Sequence, residues 1–137
     1  MEHVVTALFA IQALAGVVLL IGWWRHGRSV APRVLTHVAL GLAGLVTWVT
    51  FTITGAVVWG WIAFAAITVG NGVGDSLMIR RFRRQRGWSG GMWSDYGGAI
   101  AAVFKGRMPA IVGFHALFAG VVYFTTLGVC IGATMEA

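Results

Sequence analysis

Besides several Ser and Thr that can bond back to their own helix, five polar side chains stand inside otherwise apolar stretches: Gln12, His37, Asn71, Asp75 and His115. Two imidazoles and a carboxylate are a set that can carry protons, ligate a divalent metal or, through the imidazoles, hold a haem iron. The same residues can also act only as hydrogen-bonding glue between helices, at a net gain on the order of 1 kcal/mol per bond. Other chemistry is poorly supplied. No nucleophile stands beside a base, no carboxylates are paired and no phosphate-binding loop is present, which argues against a stand-alone enzyme. Cys130 is the only cysteine, so an intramolecular disulfide, a CxxC redox motif and a Cys-based zinc site are all excluded.

The elements that must position these groups follow from hydropathy. The 137 residues are 58% hydrophobic and only 10% charged, against roughly 25% charged residues in an average soluble domain. Four apolar stretches are each long enough to cross a bilayer as a helix: Val4 to Trp24, Val34 to Ile53, Ala56 to Ile79 and Pro109 to Ala133. The first lacks a preceding basic residue and ends in Trp23-Trp24-Arg25, not a small-residue cleavage site, so it reads as a retained helix. The expected fold is an all-α, four-helix transmembrane bundle in a single domain spanning residues 1–137. Only Thr54 and Gly55 separate the second and third spans, which makes those two antiparallel neighbours.

The net charge of +6 is a topology signal before it is a partner signal. Arg25, Arg28 and Arg33 lie in the first connection; Arg80, Arg81, Arg83, Arg84, Arg86, Lys105 and Arg107 lie in the third. Positive-inside bias then places both basic connections in the cytoplasm and both termini outside, in an inner (plasma) membrane protein. The Arg80–Arg86 run reads as an orientation determinant and an anchor on anionic lipid headgroups, and nucleic acid is not an expected partner. Within the connection from Arg80 to Met108, Ala99 to Phe104 forms a short apolar helix. Trp88, Trp93 and Tyr96 suit it to the inner membrane surface, and Ser94 or Asp95 can cap it.

Depth and face bring the polar residues together. His37, Asn71, Asp75 and His115 lie roughly 6 to 14 Å in from the basic ends of their helices, at about 1.5 Å per residue. Asn71 and Asp75 share one side of the third span, beside Gly70 and Gly74. His37 lines up with Gly41, Gly44 and Trp48, giving a smooth groove in which a flat ligand or another helix can lie. One reading is therefore a b-type haem on His37 and His115, with Gly41 leaving room for the porphyrin edge. Another is a proton or metal-ion site centred on Asp75, with His37, Asn71 and His115 as its partners.

The segments Thr36-His37-Val38-Ala39-Leu40-Gly41, Gly70-Asn71-Gly72-Val73-Gly74-Asp75 and Phe114-His115-Ala116-Leu117-Phe118-Ala119 give the chain an outline that resembles small four-helix membrane proteins of high-GC bacteria. It is also loosely similar to the haem-carrying membrane anchors of respiratory enzymes. The resemblance implies a subunit of a larger respiratory or redox membrane complex, with haem b as its cofactor. The alternative is a small proton or metal-ion transporter or channel component, working as a homo-oligomer or with other membrane subunits.

Overall fold

The computed structural model describes residues 1–88 and 90–137. Among these, five helices make up the regular structure: α1 (Glu2–Arg25), α2 (Ala31–Thr54), α3 (Val57–Arg86), α4 (Met92–Phe104) and α5 (Ala110–Met135). The helices α1, α2, α3 and α5 are long and apolar enough to cross a membrane, which makes this a multi-pass membrane protein by length and composition. Each expected span lies within one of these helices, except that Ala56 and Pro109 are N-cap residues, each one position before its helix.

α2 and α3 are the most closely packed pair, joined through Gly55 in the left-handed conformation at φ 70°. Their seam is antiparallel and depends on missing side chains. A Cβ on Gly44 would stand 2.7 Å from Ile67 Cγ2, one on Gly70 3.4 Å from Leu40 Cβ, and one on Gly74 2.9 Å from His37 Cε1. In lipid, helix association relies on such close van der Waals approach, since the surrounding tails are as apolar as leucine. The groove expected beside His37 is thus filled along Gly44 by α3. Gly41, one turn earlier, has open space around its Cα and is exposed.

The end of the bundle that carries both termini and the Gly55 turn holds the main core. Val5, Phe9, Trp48, Phe51, Ala63, Ile67, Val122 and Cys130 are buried together there. Trp48 is fully buried, stacks on Phe9 at 5.7 Å between ring centroids, meets Phe51 edge-on at 5.2 Å and donates its indole N–H to Thr6 Oγ1 at 3.1 Å. At the opposite end, Phe82 packs with Ala99, Ala102 and Met108, which seats α4 on α3. A Cβ on Gly98 would lie 2.6 Å from Phe82 Cζ, so only glycine admits the Phe82 ring at that position.

Two expectations about the connection after the third span are corrected. α3 does not end at Ile79 but runs on through the arginine run to Arg86. Arginine is a good helix former, cations are favoured at a helix C-terminus, and no glycine interrupts until Gly87 at φ 75°. The short helix starts at Met92, with Gly91 as its N-cap and no side-chain cap. Asp95 lies instead in the first turn, where it accepts the Gly90 N–H at 3.0 Å and the Arg83 Nε–H at 2.6 Å. A carboxylate offered a guanidinium on the neighbouring helix gains more than it would from capping alone.

Candidate functional site

The layer expected from depth alone is assembled, and every long helix contributes to it. His37 comes from α2, Asn71 and Asp75 from α3, His115 from α5 and Gln12 from α1, and all five are partly buried. The His37 and His115 rings meet edge-on, 5.9 Å between centroids and 78° between planes. His37 Nδ1 donates to the Gly70 carbonyl at 2.9 Å. A carbonyl only accepts, so Nδ1 carries the proton and Nε2 of the neutral ring is the free acceptor.

Gln12, which the sequence marks only as a group needing an interior position, proves to be part of the site. Its Nε2 donates to the His115 carbonyl oxygen at 3.0 Å, across from α1 to α5. Gly16, one turn further along α1, makes room for the imidazole, since a Cβ there would lie 3.4 Å from His115 Cε1. Two buried polar atoms at this contact, Gln12 Oε1 and His115 Nδ1, have no hydrogen-bond partner among the described residues. Leaving a buried donor or acceptor unpaired costs on the order of 1 to 3 kcal/mol, so these two side chains are not placed there for stability alone.

Asp75 is the carboxylate of the layer, and no arginine or lysine pairs with it among the described residues. Among the described residues the ion pairs within 4.0 Å are Met1 N with Glu2 and Arg83 with Asp95, so no arginine reaches Asp75. Its neighbours are His37 and Tyr96. Tyr96 comes down from α4, and the Asp75 charge, followed by burial, raises its phenol above the ordinary tyrosine pKa. The phenol therefore stays protonated at neutral pH and can donate toward the carboxylate. The sequence places Tyr96 only at the membrane surface. Its contact with Asp75 depends on how α4 docks, which no local spacing encodes.

The five arginines of the α3 extension divide. Arg83 is bound to Asp95, which is only 1% exposed and whose carboxyl is held below the usual aspartate range, chiefly by that guanidinium. Arg86 lies over the Phe82 and Trp88 rings, 5.2 and 4.3 Å from their centroids. Arg80, Arg81 and Arg84 are exposed and have no ion-pair partner among the described residues.

The geometry of the layer bears on the groups it is expected to hold. For a haem on His37 the ligating atom would be Nε2, because Nδ1 is engaged. The α3 backbone approaches the Cε1–Nδ1 edge of the ring: a Cβ on Gly74 would stand 2.9 Å from His37 Cε1, 3.3 Å from Nδ1 and 3.8 Å from Nε2. Gly41, expected to admit the porphyrin edge, has open space where a Cβ would stand. Among the described residues, no three of the His, Cys, Asp and Glu side chains converge on a point that can hold a metal ion. No protein family, no curated protein and no solved structure matches this chain.

Proposed function

We propose that this chain is a proton-handling component of an inner-membrane transporter or channel, with both termini outside and its basic ends in the cytoplasm. The single observation that supports the reading is the convergence of Asp75, His37 and His115 in one layer, with no arginine or lysine partner and with Gln12 Oε1 and His115 Nδ1 unpaired among the described residues. Ionisable groups at membrane depth are costly and mark substrate or ion pathways and proton relays of Asp, Glu and His.

His37 is the central group. Its Nε2 lone pair accepts a proton from the Asp75 side, and the Nδ1–H, held by the Gly70 carbonyl, fixes the tautomer. Tyr96 stands between Asp75 and the cytoplasm. Beyond the layer, Phe9, Trp48 and Phe51 are packed into a buried apolar cluster toward the termini. One chain is therefore not an open pore, and passage requires a second copy or another membrane subunit to complete the outward half.

The test is dye-reported proton flux in liposomes holding the purified chain with whatever accompanies it in mild detergent. Asp75→Asn should abolish the flux while helix content stays unchanged. Wild-type vesicles without flux, or full flux in Asp75→Asn, would sink the reading. A reduced-minus-oxidised spectrum of the same preparation separates it from the respiratory-subunit alternative. A b-type band lost in both His37→Ala and His115→Ala would restore the haem reading in its place.

A further inference from the structure

We infer that Arg80, Arg81 and Arg84 form a binding site for the phosphate of an anionic lipid headgroup, in the leaflet at the basic end of the bundle. The site is separate from the Asp75 layer and does not rest on the proton reading. The argument starts from length. α3 has 30 residues, about 45 Å of helix, whereas a bilayer's hydrocarbon core is about 30 Å thick. Its last turns must leave the apolar region, and the arginines begin where hydrophobicity ends, at the depth of lipid phosphates.

Packing then decides which arginines are free. The face of α3 that carries Asp75, Met78 and Phe82 is turned to α4, and Arg83 and Arg86 are held there by Asp95, Phe82 and Trp88. At about 100° per residue, Arg80, Arg84 and Arg81 cover about 100° of arc on the opposite side of the helix. All three are exposed, and Arg81 and Arg84 line a shallow open pocket with Gln85.

The chain cannot neutralise them itself. It has four acidic residues: Asp95 is bound to Arg83, Asp75 lies inside the α3 span, and Glu2 and Glu136 are at the far end of the bundle. α4 supplies a second reason to expect lipid. Trp93 and Phe104 are 78% and 71% exposed and, with Ile100, share one side of that helix at spacings that suit an interfacial apolar stripe. α4 lies across α3 from the guanidinium row, but on α3 itself Ile62 and Val69 stand in line with Arg80 and are 42% and 58% exposed. A guanidinium row at the end of such an apolar face matches a phosphate attached to an acyl chain better than a free anion, because only the lipid satisfies both surfaces.

The experiment extracts the full chain in mild detergent from vesicles of equimolar phosphatidylglycerol and phosphatidylcholine. Retained lipids are counted by native mass spectrometry. Wild type and R83Q/R86Q should both retain phosphatidylglycerol preferentially. The R80Q/R81Q/R84Q variant should lose that preference, at about five-fold per arginine near an anionic surface. If the triple variant does not fold, R84Q alone should show the single-arginine loss. Undiminished preference in R80Q/R81Q/R84Q or R84Q, or equal loss in R83Q/R86Q, overturns the site. Displacement of the bound phosphatidylglycerol by millimolar inorganic phosphate would overturn the lipid assignment in favour of a free-anion site.

Discussion

The two ends of the bundle are built on opposite terms. Toward the termini, Phe9, Trp48 and Phe51 stack, and the indole N–H of Trp48 is satisfied by Thr6. Toward the basic end, side chains from α1, α2, α3 and α5 meet in a layer that, among the described residues, leaves Gln12 Oε1 and His115 Nδ1 without partners and Asp75 without an arginine or lysine. A membrane helix gains little from moving leucine out of lipid, so its cohesion comes from close packing and satisfied hydrogen bonds. The first end has both. The second gives up part of that cohesion, which is the pattern expected where function, not stability, sets the residues.

Replacing the aromatic centre should produce the largest effect. Trp48→Ala removes a fully buried indole, its two aromatic contacts and one hydrogen bond. It should cost about 3 kcal/mol, near the low end for buried Trp→Ala because the unfolded reference is also apolar. Reversible unfolding in mixed detergent measures it, and a loss under about 1 kcal/mol, the size of a single interhelical bond, would dissolve the contrast between the two ends.

Gly74→Ala should come next. The new Cβ would stand 2.9 Å from His37 Cε1, and overpacking of this kind costs about 1 to 3 kcal/mol. Because the imidazole must move, its NMR resonances should shift while those of Trp48 do not. Coincident shifts at both residues would mean that the ends are not independent.

A smaller effect, of reversed character, is expected from Gln12→Leu combined with His115→Leu. This pair removes both orphans and also the bond from Gln12 to the His115 carbonyl. Apolar replacement of a whole polar contact is close to neutral, so stability should stay within about 1 kcal/mol of wild type. Proton flux should nevertheless fall. A loss above about 2 kcal/mol with normal flux would assign the pair to structure alone.

The smallest effect is confined to α4. The folded-state pKa of Asp95 is depressed by Arg83. The stability linked to it is therefore fully present above the unfolded aspartate pKa of about 3.9, and is lost as pH falls through the lower folded value. Amide exchange in α4 should be unchanged between about pH 7 and 5 and should accelerate, after correction for intrinsic rates, below about pH 4. Asp95→Asn should remove that step. Uniform loosening of all helices in acid would indicate a different group.

Much of this architecture is legible in the residues alone. The four spans follow from apolar runs that only a helix can carry through lipid, and the depth of His37, Asp75 and His115 follows from a fixed rise per residue. The arginine run is harder to place, because charge marks where a membrane ends but not where a helix does. α3 continues until Gly87 supplies a left-handed exit. The glycines beside His37 are legible as a smooth face. Only packing decides that Gly44 takes Ile67, that Gly74 takes the imidazole and that Gly41 takes nothing.

By itself, then, the sequence determined an all-helical membrane chain, the register of its polar groups along each helix, and the end at which its positive charge gathers. These are properties of single segments, and a segment's hydropathy and period are written in its own residues. The pairs were decided by tertiary structure: Gln12 with His115, Tyr96 with Asp75, Arg83 with Asp95, and the three arginines left free. Each pair joins different helices, and the rotation of one helix against another depends on the whole set of contacts between them. No spacing within one segment contains that rotation, so the chemistry of the layer becomes readable only once the helices are packed.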